Sequence, residues 1–186
     1  MNNELTLPWI LEGYRLFAHE GPKALKIEVM AKKMGKSKSS FYYHFIDMEL
    51  FIQALLDYHL SRAEIIGERE RQCKNVDPEL FKLLIEIKED LLFSRQLRIN
   101  RRIVAYKECF EKVNEIIGDA IVIIWSEAIG LNYNSNVAKL ILGLTMENFY
   151  LQITPETLSY EWLRGYLEDV KTMITEFQDA EKKKNH

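Results

Sequence analysis

No stretch of this 186-residue chain approaches the roughly 18 consecutive apolar residues that a bilayer-spanning helix needs, so none reads as a membrane span. The opening MNNELTLPW also lacks the basic-then-apolar layout of a secretory signal, and the cytoplasm is the expected location. Cysteine is scarce: Cys73 and Cys109 stand far apart without CxxC spacing, which points to reduced thiols rather than a bridge or a metal knuckle. Histidines occur at positions 19, 44, 59 and 186, with no HExxH and no ligand-pair spacing. A GxSxG elbow, a GxxxxGK loop and a dinucleotide glycine fingerprint are all missing. Cys109 and the distant His59 lack the local context of a nucleophilic pair. No enzyme, cofactor or metal is therefore expected. A general excess of positive charge is absent too, and the net charge of −3 argues against indiscriminate polyanion binding.

Proline and glycine are also few, at four and eight, and between them apolar residues recur every three or four positions. The chain reads as all-α. Pro8 suits a first helical turn, followed by the stripe Ile10, Leu11, Tyr14, Phe17 and Ala18, which ends at Gly21. A short helix is expected over 27–34, closed by Gly35 in the left-handed conformation. Ser37 then caps a third short helix through the N–H near Ser40. Asp47 caps a long fourth helix of about 35 Å, with Phe51, Leu55, Tyr58, Arg62 and Ile65 along one face. Asp77 and Pro78 open a further helix to about Phe93; a short arginine-rich helix follows, then helices over about 104–128, 136–153 and 159–181.

Charge is uneven along this frame. Between Gly21 and Phe45 six lysines face Glu28 alone, whereas residues 61–186 carry 18 basic against 21 acidic side chains. A basic face at one end of a mildly acidic body suits an anionic partner held at that end. Two short helices joined by a glycine-containing turn form a helix-turn-helix, whose second helix enters the DNA major groove. In GKSKSSFYYHF, Lys38, Ser39 and Ser40 offer short or flexible donors toward base edges, while Tyr42, Tyr43 and His44 can bond flanking phosphates. Phe41 and Phe45, four apart, anchor the helix from behind.

From ILEGYRLFAHEG through VMAKKMGKSKSSFYYHFIDMELF, over about residues 8–60, the sequence resembles the TetR family of bacterial transcriptional regulators. Phe17, Gly21, Met30, Ala31, Gly35, Ser37, Lys38, Phe41, Tyr42, His44 and Phe45 carry the pattern in order. The resemblance implies an N-terminal three-helix DNA-binding domain over 1–47, a connector helix over 48–71 and a larger helical effector-binding and dimerisation domain over 72–186. Its implied partners are double-stranded operator DNA, a second copy of the chain and a small-molecule effector of unknown identity. The chain departs from the family at three positions. Lys26 stands where a capping threonine is common, Lys36 where valine is, and Met48 where a phosphate-binding lysine is. Lys26 or Lys36 is expected to compensate for the missing contact, and both join Ser37 among the candidate DNA-binding residues.

Beyond residue 60 no motif identifies a ligand. Leu163, Leu167, Val170, Ile174 and Phe177 repeat at 4-3-4-3 spacing, a seam suited to another helix, and Leu140, Ile141 and Leu144 line its neighbour. These are the candidate dimerisation residues. Phe93, Tyr106, Phe110, Trp125, Tyr150 and Trp162 are candidate pocket or core aromatics. The arginines at 95, 98, 101 and 102 could pair an anion, or form a solvated face balanced by Glu86, Glu89 and Asp90. The alternative to a regulator is a helical module whose basic face binds another protein's acidic patch.

Overall fold

The computed structural model describes residues 3–132 and 136–184, and among these it contains helices and turns and no strand. The helices are α1 (Asn3–Glu20), α2 (Ile27–Lys33), α3 (Lys38–His44), α4 (Met48–Arg71), α5 (Phe81–Glu86), α6 (Lys88–Ile99), α7 (Val104–Ala128), α8 (Asn136–Gln152) and α9 (Tyr160–Lys184). Part of the expected loop GLNYNSN lies outside the described residues.

The chain divides into two compact units: residues 1–65 with 89–113, and residues 66–88 with 114–186. This differs from the expected division at 47 and 71. The first unit gathers α6 and the start of α7 onto the N-terminal helices, and its core shows why. Phe93 of α6 is fully buried, stacks on Tyr14 with centroids 4.3 Å apart and lies 4.3 Å from Phe17. Tyr106 meets Phe17 edge-on at 5.4 Å. Large aromatics from α1 and α6 thus share one core, and truncating such a ring typically costs about 3–5 kcal/mol. Tyr106 and Phe93, candidate pocket residues by sequence, are packing residues here.

Several sequence expectations change in detail. Pro8 lies inside α1, which begins at Asn3, so the missing N–H interrupts the ladder one turn in. Leu11 is exposed, and Trp9 and Leu16 are buried in its place. The cap after residue 72 is Asn75, whose side chain accepts from Glu79 N at 3.1 Å, while the Glu79 carboxylate accepts from Lys74 N at 2.8 Å. That reciprocal pairing satisfies the helix start without Asp77. Asp77 is non-helical and instead accepts from the Tyr160 hydroxyl, with Arg164 Nε at 3.4 Å. The following helix breaks at Ile87 (φ −92, ψ 25), where the sequence offers neither glycine nor proline as a signal.

Within the first unit, a polar network runs through the aromatic core. Arg62 of α4 grips Asp90 of α6 with two bonds, Nε to Oδ1 at 3.0 Å and Nη2 to Oδ2 at 2.8 Å. The paired carboxylate has no proton to give, so the Tyr14 hydroxyl donates to Asp90 Oδ1 at 2.9 Å. With that hydrogen committed, the Tyr14 oxygen accepts from His59 Nδ1–H at 2.6 Å. His59 Nε2 is then bare and takes the Ser94 hydroxyl at 2.9 Å. The bonding pattern selects a neutral His59 in the Nδ1–H tautomer. Burial, the dominant cause, agrees by pushing its pKa down to about 4.

Candidate nucleic-acid interface

The turn between α2 and α3 is a Schellman motif. Gly35 sits at φ 63, its N–H donates to the Lys32 carbonyl at 3.2 Å, and the Lys36 N–H donates to the Ala31 carbonyl at 2.9 Å. A side chain at position 35 would meet no neighbour, so the left-handed backbone alone requires glycine there. Ser37 is extended and its Oγ accepts from Ser40 N at 3.2 Å, which starts α3 two residues after the turn. Asp47 caps α4 in the same way, accepting from Leu50 N at 2.8 Å. Lys26 precedes α2 with no side-chain cap bond, as its lack of an acceptor dictates.

Behind α3, Phe41 is fully buried, with Trp9 edge-on at 5.4 Å and Phe51 at 5.2 Å. Phe45 packs on Phe51 at 4.9 Å. α1 and α4 can close under Phe41 because Gly13 has no Cβ: one built there would lie 2.4 Å from the Phe51 ring. Helical periodicity then decides the outer face. Ser39, Tyr42 and Tyr43, three and four positions apart, all stand exposed, Tyr43 to 82%. Ser40 and His44 are half-buried on an adjacent stripe that shares its first turn with the Ser37 cap.

The three lysines are exposed and differ in their partners. Lys38 Nζ lies 2.5 Å from Glu28 Oε1 of α2, and that contact holds the Glu28 carboxyl below its ordinary range. Lys36 Nζ stands 5.9 Å over the Trp9 ring, a cation–π distance that fixes it beside the turn. Lys33 lies within 4 Å of Glu12 and Glu20 carboxylates.

Two features went unread in the sequence. Ile46, in the turn after α3, is 79% exposed beside Tyr43, because adjacent Phe45 and Ile46 cannot both face the core. The Tyr14–His59–Asp90–Arg62 network was invisible as well: its members are far apart in sequence, and His59 alone has no recognisable context.

In the second unit, the α9 seam belongs to the chain's own core. Leu163, Leu167, Val170 and Ile174 are buried, Tyr166 donates to the Thr145 carbonyl of α8 at 2.5 Å, and Trp162 and Tyr166 pack against Phe149. A 4-3 repeat announces a helix partner without saying which chain supplies it. The apolar residues left exposed lie part of a turn around: Val137, Leu140, Leu144 and Leu151 on one stripe of α8, and Met173 and Phe177 on α9. Ile141 is half-buried. A separate groove of about 360 Å³ runs between α7 and α8, with Gly118 and Gly143 on its walls and Glu115, Asp119 and Lys139 among its polar lining.

No protein-family model and no curated protein matches the sequence. Among solved structures, the chain is similar to a candidate TetR-family transcriptional regulator from Rhodococcus sp., with TM-score 0.54 and 20% identity, over 97% of this chain and 98% of that one. The fold is TetR-like. In this TetR-like chain the helix-turn-helix, its glycine turn and its serine cap all stand in the first unit. Among the described residues no helix is long and apolar enough to cross a membrane, and no cluster of His, Cys, Asp and Glu could hold a metal ion.

Proposed function

We propose that the protein is a one-component transcriptional regulator, acting as a repressor in the cytoplasm, that binds operator DNA as a homodimer and is not an enzyme. The observation that carries this reading is the exposed Ser39, Tyr42 and Tyr43 face of α3, held off the core by Phe41, in a helix-turn-helix that also exposes Lys26, Lys36 and Lys38. Hydroxyls on a helix flanked by cations match a groove floor of base edges between phosphate walls. Ser37 takes part through its O–H while its oxygen caps the helix, Lys38, Ser39 and Ser40 approach base edges, and Tyr42, Tyr43 and His44 bond flanking phosphates. Lys36 replaces the phosphate contact that Met48 lacks.

The test is duplex binding as a function of salt, on a fragment selected from random DNA by the protein itself. Lys36→Ala should lower affinity for all bound sequences alike and make the log–log salt slope shallower by about 0.9. An unchanged slope removes Lys36 from the interface. Equal affinity for every duplex, with no selected sequence, favours instead the helical module that binds another protein's acidic patch.

For the dimer, the exposed stripes of α8 and α9 supply the surface: Leu140, Leu144 and Phe177 remain candidates, joined by Val137 and Met173. The buried Leu163, Leu167, Val170 and Ile174 and the half-buried Ile141 support these helices from within. Leu144 is 70% exposed, so Leu144→Glu should leave the fold intact and convert dimer to monomer in sedimentation velocity. A variant that sediments as wild type places the interface elsewhere. The groove between α7 and α8 offers room for a small-molecule effector, whose unequal affinity for two arrangements of the dimer would set DNA affinity.

A further inference from the structure

The buried network of the first unit has a geometry that packing alone does not require. Asp90, on α6, accepts from α1 through Tyr14 and from α4 through Arg62, so a single carboxylate ties together the two helices on which α3 rests. Those helices also carry the seat of α3. Trp9 lies five residues before Tyr14 on α1, and Phe51 lies eleven before Arg62 on α4; both rings touch Phe41. The joint also borders the helix-turn-helix directly. Tyr14, Tyr58, Arg62 and Asp90 line one groove of about 690 Å³ with Met34 and Lys36 of the α2–α3 turn.

We propose that the Asp90 carboxylate is a positioning group for the recognition helix: by accepting from Tyr14 and Arg62 together, it fixes the mutual placement of α1 and α4 and so the seat of Phe41. A buried ion pair is a poor source of net stability, since apolar residues of similar volume often serve as well or better. What an apolar replacement lacks is direction. Leucine and methionine fill the space without dictating how α1 is turned about α4, whereas the bidentate Arg62 fork and the Tyr14 hydroxyl each accept one geometry. His59 and Ser94 extend that constraint, because the Tyr14 hydrogen committed to Asp90 sets the direction of the donors beyond it. The groups facing His59 are Tyr14 from α1, Arg62 from its own helix, and Asp90 and Ser94 from α6, while Tyr58 meets Tyr14.

The inference rests on α3 being the DNA-reading element, but its test has a readout that needs no DNA. The full-length double variant Arg62→Met/Asp90→Leu is compared with wild type by thermal melting and by amide hydrogen exchange over 38–45. The expected result is a melting temperature within a few degrees of wild type, together with exchange at least tenfold faster in α3. Tyr14→Phe, which removes one hydroxyl and leaves the ion pair, should accelerate α3 exchange about threefold and decides the matter if the double variant does not fold. Unchanged α3 exchange in a folded variant overturns the proposal. On a duplex selected by wild type, the double variant should bind at least tenfold more weakly. If wild type selects no duplex, the regulator reading fails while the exchange result still judges Asp90.

Discussion

Glu70→Gln is expected to abolish a loss of unfolding free energy of roughly 3 to 4 kcal/mol that Glu70 imposes as pH rises from 4.5 to between 7 and 8. Glu70 lies near the end of α4 in the second unit, is 1% exposed, and its Oε2 is buried without a hydrogen-bond partner among the described residues. Burial pushes its pKa up to about 8, opposed weakly by Arg71. A carboxyl whose folded pKa exceeds its unfolded value of 4.5 contributes its full stability below pH 4.5 and loses it as pH rises toward 8. Glutamine keeps the shape of the protonated acid and has no proton to lose, so the variant should be flat above about pH 6.5, where wild type declines. Urea titrations at pH 5, 7 and 8 check this. Parallel wild-type and variant curves would show that Glu70 is ionised in the fold at no cost.

The second large effect has the opposite sign and comes from the first unit. The His59 pKa falls from 6.5 to about 4 because the ring is buried against Phe93, at 4.4 Å, and Tyr14. The unfolded chain therefore binds a proton that the folded one refuses. Stability from this group is complete above pH 6.5 and declines as pH falls toward 4, by about 3 kcal/mol in total. Between pH 4.5 and 6.5 the two groups oppose each other, each changing by about 1.4 kcal/mol per pH unit. Wild type should accordingly look nearly pH-independent there if both units unfold in one transition. Glu70→Gln would then unmask the His59 acid limb, and His59→Gln the Glu70 decline. Substituting His59 also weakens the network, so the slope rather than the absolute stability is the quantity to compare. An acid limb that persists in His59→Gln assigns it to other groups.

Both groups show what one-dimensional reading misses. Glu70 sits among Glu68, Arg69 and Arg71 in a run that resembles a solvated helix face, yet the helix turns it inward while Glu68 and Arg71 stand exposed and Arg69 is half-buried. His59 was placed in the sequence as one of four unremarkable histidines; its partners Tyr14 and Ser94 lie 45 and 35 residues away. A side chain's protonation depends on what surrounds it, and the surroundings come from distant segments.

Local chemistry, by contrast, was readable. Gly35 needs a left-handed backbone, Ser37 and Asp47 offer short acceptors to free N–H groups, and the spacing of Phe41 to Phe45 matches one helical turn. Each depends on residues within a few positions, so the helix-turn-helix and its outward hydroxyl face followed from sequence alone. The tertiary structure decided which chain covers an apolar seam. The α9 repeat turned out to fill its own core, leaving Leu140, Leu144 and Phe177 outside. It also decided that α6 joins the N-terminal helices through Phe93 and Asp90. Periodicity tells a helix which of its faces is apolar, because that is a property of one strand of residues; the identity of the surface that meets that face is a property of the whole packed chain.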